Sequence, residues 1–135
     1  MSTDKEYYNE LFAAIHANDV SKVETIISRG ADVNDPDPRY LLGSGNTPLH
    51  DAANLGNIEV VKILLTAGAN IDAQCDCGWT PLMRACNSDN TELAKFLIHS
   101  DAKVNIKNSE GYTALMRTRA NNNELIHALQ SVGAE

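Results

Sequence analysis

The stretch NTPLHDAANLGNIEVVKILLTAGANID, residues 46–72, reads as two short helices separated by a turn. In its second half, apolar residues recur at the spacing of one helix face, and they are Val60, Val61, Ile63, Leu64 and Leu65. Gly68 follows and can end this helix in the left-handed backbone conformation that other residues resist. Residues 69–73 then read as an extended stretch. The segment therefore predicts a helix–turn–helix unit with an extended connection after it.

The same unit recurs along the chain at a fixed period. Thr47, Thr80 and Thr113 follow one another at intervals of 33 residues, and each has a glycine two positions earlier. Thr80 can cap a helix, and Pro81 suits its first turn, where a missing N–H costs nothing. The narrow inward stripe of that helix is Leu82, Ala85 and Cys86. A register kept over three units predicts a repeat architecture.

Residues 46–72 resemble a near-consensus ankyrin repeat, with the motif Thr-Pro-Leu-His at 47–50. The resemblance covers nearly the whole chain and implies an all-α repeat solenoid. This would be an ankyrin-repeat stack of about four helix–turn–helix units with short β-hairpin loops. We expect a single domain, 1–135, with no other domain attached. Its units are an N-terminal capping repeat with an extended hairpin at about 7–41, repeats at 42–74 and 75–107, and a truncated C-terminal capping repeat at 108–135.

Two departures from the repeat pattern mark places where the stack should be unusual. Asp101 stands where Gly30, Gly68 and Gly133 close the other repeats, and aspartate tolerates that backbone conformation only at some cost. The last repeat is one residue shorter than the others, so its helix connection near 121–123 should be tighter.

The first hairpin carries an insertion. Asn34 to Thr47 spans 13 positions, five more than the equivalent eight-residue spacings later in the chain. The extra residues fall at 35–42, where two prolines stiffen the chain and Tyr40 adds apolar surface with two leucines. One interpretation is a recognition loop. The other is that Leu41 and Leu42 fold back over the first groove between repeats, and the sequence leaves both open.

Composition and charge exclude several classes of partner. Hydrophobic residues make up 43% of the chain and charged residues 21%, which is ordinary for a folded soluble protein. Eighteen acidic and eleven basic side chains give a net charge of −7, so we expect no nucleic-acid and no membrane partner. Three cysteines cannot form a closed disulfide framework, and no signal stretch opens the chain. We therefore expect a cytoplasmic monomer.

The family resemblance implies that partners dock on a concave surface built from hairpin tips and the exposed ends of the inner helices. Trp79 and Tyr112 are the leading candidates, because they lie 33 residues apart on adjacent hairpins and large aromatic side chains dominate binding energy at interfaces. The alternative is that each ring only stiffens its own hairpin. The other candidate partner-binding residues are Asn46, Asp76, Cys77, Asn54, Leu55, Asn87, Ser88, Asn121 and Tyr40. A basic patch of Arg84, Arg117 and Arg119 is a further feature, with simple solvation as its alternative.

Signals for catalysis or metal binding are weak. Cys75 and Cys77 resemble half a metal site, but tetrahedral zinc needs four ligands and no second pair lies at a suitable spacing. His50 ends the Thr-Pro-Leu-His motif, where the resemblance implies hydrogen bonds between neighbouring hairpins. We therefore predict no enzyme activity, no metal and no cofactor. A metal- or thiol-dependent activity at Cys75 and Cys77 is the alternative from another class.

The sequence thus favours a non-catalytic protein–protein interaction module that binds a partner protein through its concave surface. A regulator, adaptor or inhibitor would use such a surface. An immunity or antitoxin protein, or a host-directed effector, would have the same pattern, because the fold alone names no ligand.

Overall fold

The computed structural model describes residues 4–36 and 45–135, with side chains from residue 10 onward within those ranges. The helices are α1 (Asp4–His16), α2 (Val20–Ser28), α3 (Pro48–Leu55), α4 (Ile58–Thr66), α5 (Pro81–Asn87), α6 (Thr91–His99), α7 (Ala114–Arg117) and α8 (Asn123–Ser131). Tyr40 and most of the 35–42 insertion lie outside the described residues. Both interpretations of that insertion therefore stay predictions.

The helices pack in two layers that follow the repeat order. In the inner layer, α1, α3, α5 and α7 contact one another in sequence, and in the outer layer α2 contacts α4 and α6 contacts α8. Helix α1 pairs with α2, α3 with α4 and α5 with α6. Each pair makes its main contacts with the pairs beside it, which is the packing of a solenoid. The predicted all-α repeat solenoid is confirmed, while the proposed unit boundaries stay predictions.

A threonine fixes the beginning of each inner helix from α3 onward. The hydroxyl oxygen of Thr80 accepts a hydrogen bond from the N–H of Met83 at 3.2 Å. Thr47 and Thr113 cap α3 and α7 in the same way. Losing such a cap typically costs about 1 kcal/mol of stability. The repeated threonines therefore set the register that the 33-residue period predicts.

A continuous apolar core lies between the two layers. Its fully buried residues from the middle repeats include Leu49, Ala52, Ala53, Val60, Val61, Leu64, Ala85, Cys86, Ala94 and Leu97. Small side chains on the inner helices allow the close packing that the narrow stripe predicts. Burial raises the pKa of the Cys86 thiol to about 11, so this cysteine acts as a small core hydrophobe.

The connections between repeats end in tight tips, which we call fingers. In the 75–79 finger, the N–H of Cys75 donates to the carbonyl oxygen of Trp79 at 3.0 Å. In the 108–112 finger, the N–H of Asn108 donates to the carbonyl oxygen of Tyr112 at 2.9 Å. No strand occurs in the described ranges, so the predicted hairpins are reduced to turns there.

Three equivalent polar residues, Asn34, Asp72 and Asn105, join successive repeats. Asn105 donates from Nδ2 to the carbonyl of Gly133 at 3.0 Å and accepts at Oδ1 from the N–H of Glu135 at 2.9 Å. Asn34 bonds to the backbone of the following repeat in the same two ways. Asp72 only accepts, from a backbone N–H at 2.9 Å, because a carboxylate has no N–H to donate.

Asp101 occupies the left-handed conformation that its alignment with glycines predicts. Its φ is 69°, and the equivalent Gly68 has a φ of 96°. Only glycine enters this region freely, because a Cβ atom crowds the backbone there. The hydrogen bond of Asp72 is made with the N–H of Lys103, two residues after this strained position.

Candidate functional site

The two described fingers are locked side by side. Ser109 donates to the carbonyl oxygen of Cys77 twice, from its N–H at 3.0 Å and from its hydroxyl at 2.8 Å. The Gln74 side chain donates to the carbonyl oxygens of Gly78 at 3.0 Å and Lys107 at 3.3 Å. A Cβ atom at Gly78 would lie 2.9 Å from the backbone nitrogen of Ser109. The close approach of the fingers therefore requires glycine at position 78.

His50 connects the inner helix α3 to the finger of the next repeat. Its Nδ1 accepts a hydrogen bond from the N–H of Thr47 at 3.1 Å, so its Nε2 carries the proton that is donated to the Trp79 carbonyl at 2.7 Å. The imidazole is buried, and this burial lowers the His50 pKa to about 4. His50 therefore holds the backbone of Trp79 in place as a neutral group, which is the structural role implied by the family resemblance.

Four side chains from two repeats form what we call the arginine–aromatic stack: Trp79, Arg84, Tyr112 and Arg117. The guanidinium carbon of Arg84 lies 4.8 Å from the centre of the Trp79 ring. That of Arg117 lies 5.1 Å from Trp79 and 5.3 Å from Tyr112. Cation–π contacts of this kind are worth about 0.5–1 kcal/mol each at exposed sites. Arg117 thus links two fingers that the sequence predicts to be adjacent.

The arginines of the stack are held by neutral groups. Arg84 donates from Nη2 to the Asn46 amide oxygen at 3.2 Å and lies 3.8 Å from the Cys75 sulfur. Arg117 donates from Nη2 to the Asn87 amide oxygen at 2.9 Å, while its Nε is buried and has no hydrogen-bond partner within the described ranges. No carboxylate pairs with either guanidinium in the part of the chain that the structure describes. Within the described ranges, both positive charges are therefore left without a carboxylate within 4 Å.

A second polar contact extends the surface along the inner helices. The hydroxyl of Ser88 donates to the amide oxygen of Asn54 at 3.1 Å, which joins the ends of α3 and α5. Leu55 on α3 and Met116 on α7 are apolar side chains that are 42% and 55% exposed. Tyr112 is 38% exposed on its finger. Aromatic and cationic groups therefore meet at the stack, and exposed aliphatic side chains lie on the inner helices α3 and α7.

Most of the predicted partner-binding residues fall on this surface. The stack and its hydrogen bonds bring together Trp79, Tyr112, Asn46 and Asn87, and a separate contact joins Asn54 to Ser88. Asp76 and Cys77 are exposed on the 75–79 finger. Asn121 is exposed in the turn between α7 and α8, away from these contacts. Tyr40 lies outside the described residues.

Arg84 and Arg117 belong to the predicted basic patch, but they were not among the predicted partner-binding residues. A signal for them exists, because each arginine follows an aromatic residue by five positions and the two arginines are 33 residues apart. Arg119, the third arginine of the predicted basic patch, is not part of the stack. Its Nη1 lies 3.9 Å from a carboxylate oxygen of Asp89. The predicted basic patch therefore divides into two uncompensated arginines and one with an acidic neighbour.

The cysteines do not assemble into a metal site. Cys75 is buried and Cys77 is exposed, and no group of three or more potential ligands occurs among the described residues. His16 contacts Asp51 at 3.0 Å, remote from both cysteines in the chain. Among the helices of the described ranges, none is long and apolar enough to cross a membrane.

Comparison with known proteins agrees with this geometry. The family model described as ankyrin repeats (many copies) matches residues 49–98, which covers α3 to α6. The same caps and fingers continue beyond the matched segment into α7. Residues 49–98 therefore match the ankyrin-repeat family, and the rest of the described chain continues the same repeat geometry. Ankyrin repeats in general mediate protein–protein interaction and are typically non-catalytic.

The similar proteins are all much longer than the matched segments. Two ankyrin repeat proteins of fowlpox virus (strain NVSL) are 38% and 36% identical to 45% and 47% of this chain, which correspond to 13% and 15% of their own lengths. The 2-5A-dependent ribonuclease of Mus musculus is 34% identical over 46% of this chain and 8% of its own. These similarities concern the repeats only.

Proposed function

We propose that this chain binds a partner protein through the surface formed by its fingers and inner helices, and that it acts as a regulator, adaptor or inhibitor. The observation that carries this proposal is the arginine–aromatic stack, which offers a partly exposed tyrosine and two uncompensated arginines at one place. Tryptophan, tyrosine and arginine are the residues most enriched at the energetic centres of interfaces. A non-catalytic role in a reducing cytoplasm is part of the same proposal.

The rigidity of the surface supports the proposal. Hydrogen bonds between Ser109 and Cys77 hold the fingers together, and His50 holds the backbone of Trp79. A surface that is already ordered loses little conformational entropy when a partner binds. The packing of Trp79 against the core also means that its ring serves the fold as well as recognition.

Affinity capture with the immobilised chain, from an extract of the cells that produce it, tests this proposal. We expect a protein that wild type retains and that the double variant Trp79→Ala, Tyr112→Ala loses. The matched control is Phe96→Ala, which removes a half-buried aromatic ring from the outer helix α6 and should keep the partner. Thermal melting of each variant separates lost binding from lost folding. Equal retention by wild type and the double variant would contradict the chosen surface.

A further inference from the structure

The charge around the arginine–aromatic stack is opposite to that of the whole chain. The chain carries a net charge of −7, yet Arg84 and Arg117 have no carboxylate partner in the described ranges. The acidic residues of the two fingers, Asp76 and Glu110, are exposed and make no ion pair with them. A positive site that an acidic protein leaves uncompensated attracts a negative group from outside.

The donors of these arginines are only partly used. A guanidinium group has five N–H donors in a planar fork. Arg117 uses Nη2 for Asn87 and has a buried, unpartnered Nε, and Arg84 directs its Nη2 to Asn46 and Cys75. The rings of Trp79 and Tyr112 hold the guanidinium planes, and the Nη1 group of each arginine makes no hydrogen bond within the described ranges. A pre-oriented fork of this kind matches a carboxylate, which can accept two parallel hydrogen bonds.

We propose that the partner presents an acidic segment, rich in aspartate or glutamate, whose carboxylates bind Arg84 and Arg117 between the fingers and the inner helices. This inference rests on the proposed function and specifies the chemistry of its partner. Tyr112 contacts the Arg117 guanidinium and is partly exposed. Leu55 and Met116 are exposed apolar side chains on the inner helices α3 and α7. The segment is therefore acidic with interspersed apolar residues, rather than a uniform run of carboxylates.

A nucleic acid would also offer negative charge, but the observations favour a peptide. Phosphate binding needs several cations along a backbone, whereas the stack offers two arginines. Both rings are already in contact with guanidinium groups, which leaves them less available for stacking on bases. A short acidic peptide needs only the two arginines.

Selection from a display library of random 12-residue peptides on the wild-type chain tests the inference without assuming its answer. Clones that also bind the double variant Trp79→Ala, Tyr112→Ala are removed, so that the retained peptides bind the proposed surface whatever their charge. Selected peptides are then synthesised in two forms, as found and with every Asp and Glu replaced by Asn and Gln. Dissociation constants are measured by fluorescence anisotropy at low and high salt, with single-stranded DNA of the same length as a competitor.

The inference expects selected peptides enriched in Asp and Glu, with affinity that falls at least about tenfold for the amide form and for each of Arg84→Gln and Arg117→Gln. Arg119→Gln removes the same charge from an arginine beside Asp89 and should leave the affinity within about twofold. Arg84→Lys and Arg117→Lys keep the charge without the planar fork and should lie between wild type and glutamine. Thermal melting of each variant monitors folding.

Three results would overturn the inference. One is a set of peptides that binds this surface with no acidic enrichment, and in that case the proposed function would survive. A second is equal loss of affinity in the Arg119→Gln control, and a third is displacement by DNA at lower concentration than by the acidic peptide. Failure of any peptide to bind at Trp79 and Tyr112 would remove the proposed function together with the inference.

Discussion

The Nε2 atom of His50 lies 2.7 Å from the carbonyl oxygen of Trp79, so a buried imidazole of one repeat holds the finger of the next. Through this bond, the position of the Trp79 backbone depends on the protonation state of His50, which is buried in the core. The neutral imidazole is the form that fits, because Nδ1 must accept the N–H of Thr47.

Acidification should destabilise the chain through His50. Its folded-state pKa of about 4 lies below the ordinary histidine value of 6.5, so the unfolded state binds more protons between these two pH values. The contribution of His50 to stability is therefore complete above about pH 6.5 and is lost as the pH falls towards 4. A pKa difference of this size corresponds to roughly 3 kcal/mol in the free energy of unfolding.

Urea unfolding at several pH values between 7.5 and 4.5 measures this effect. His50→Gln cannot titrate and should show a shallower loss of stability than wild type over that range, although it is less stable at pH 7.5. His127→Gln removes an exposed histidine on α8 while retaining His50, and is the matched control. Parallel curves for wild type and His50→Gln would show that His50 is not responsible.

Gly78→Ala should destabilise the chain more than Gly111→Ala. Both glycines hold the same finger position with positive φ, 77° and 83°, so both substitutions carry the same backbone strain. Only the Cβ atom at position 78 meets another backbone, 2.9 Å from Ser109 N, while nothing lies within 4 Å of one at position 111. We expect an extra loss of about 1–3 kcal/mol for Gly78→Ala in chemical denaturation. Equal losses of stability in the two variants would mean that the fingers move apart at position 78 without a cost in free energy.

Asp101→Gly should stabilise the stack by about 1 kcal/mol, because it relieves the left-handed strain of an L-residue. The reverse change at the equivalent position, Gly68→Asp, should destabilise by a similar amount. No atom lies within 4 Å of a Cβ added at Gly68. The loss of stability expected for Gly68→Asp therefore comes from backbone strain and not from a steric clash. Melting temperatures of the two variants check the pair, and a stabilising Gly68→Asp would contradict the explanation.

Native chain should react rapidly with a thiol reagent at one of its three cysteines. Cys77 is exposed, whereas Cys75 and Cys86 are buried. Burial also raises the Cys86 pKa to about 11, which suppresses the reactive thiolate at neutral pH. Absorbance titration with an aromatic disulfide should give one fast equivalent, and Cys77→Ser should abolish it. Three fast equivalents in folded protein would contradict the described burial.

The solenoid was predictable because its determinants are local and periodic. Threonine at 47, 80 and 113 caps a helix wherever it precedes one, and the stripe of small residues requires a close neighbour. Asp101 could be assigned a left-handed backbone because three glycines share its place in the repeat. Each of these inferences needs only the position within one unit.

The arrangement of the candidate site depends on contacts between units, which a single unit does not specify. The period placed Trp79 and Tyr112 on adjacent fingers, but it did not show that Arg117 reaches both rings. A long, flexible side chain such as that of Arg117 can reach several partners or remain in water. The spacing in the sequence does not decide between these two outcomes. Likewise, the prediction of a tighter helix connection near 121–123 was wrong, because α7 ends after four residues and leaves residues 118–122 between it and α8.

The connections made by Asn34, Asp72 and Asn105 determine how the stack would carry mechanical tension. Each repeat packs mainly against its neighbours. A force along the solenoid axis therefore acts on the contacts between successive repeats in series, and the weakest of these contacts breaks first. Asp72 provides one hydrogen bond where each asparagine provides two, and it meets the strained backbone near Asp101. Under load, the outer layer would give first between α4 and α6, while the hydrogen bonds His50–Trp79 and Ser88–Asn54 still join α3 to the next repeat.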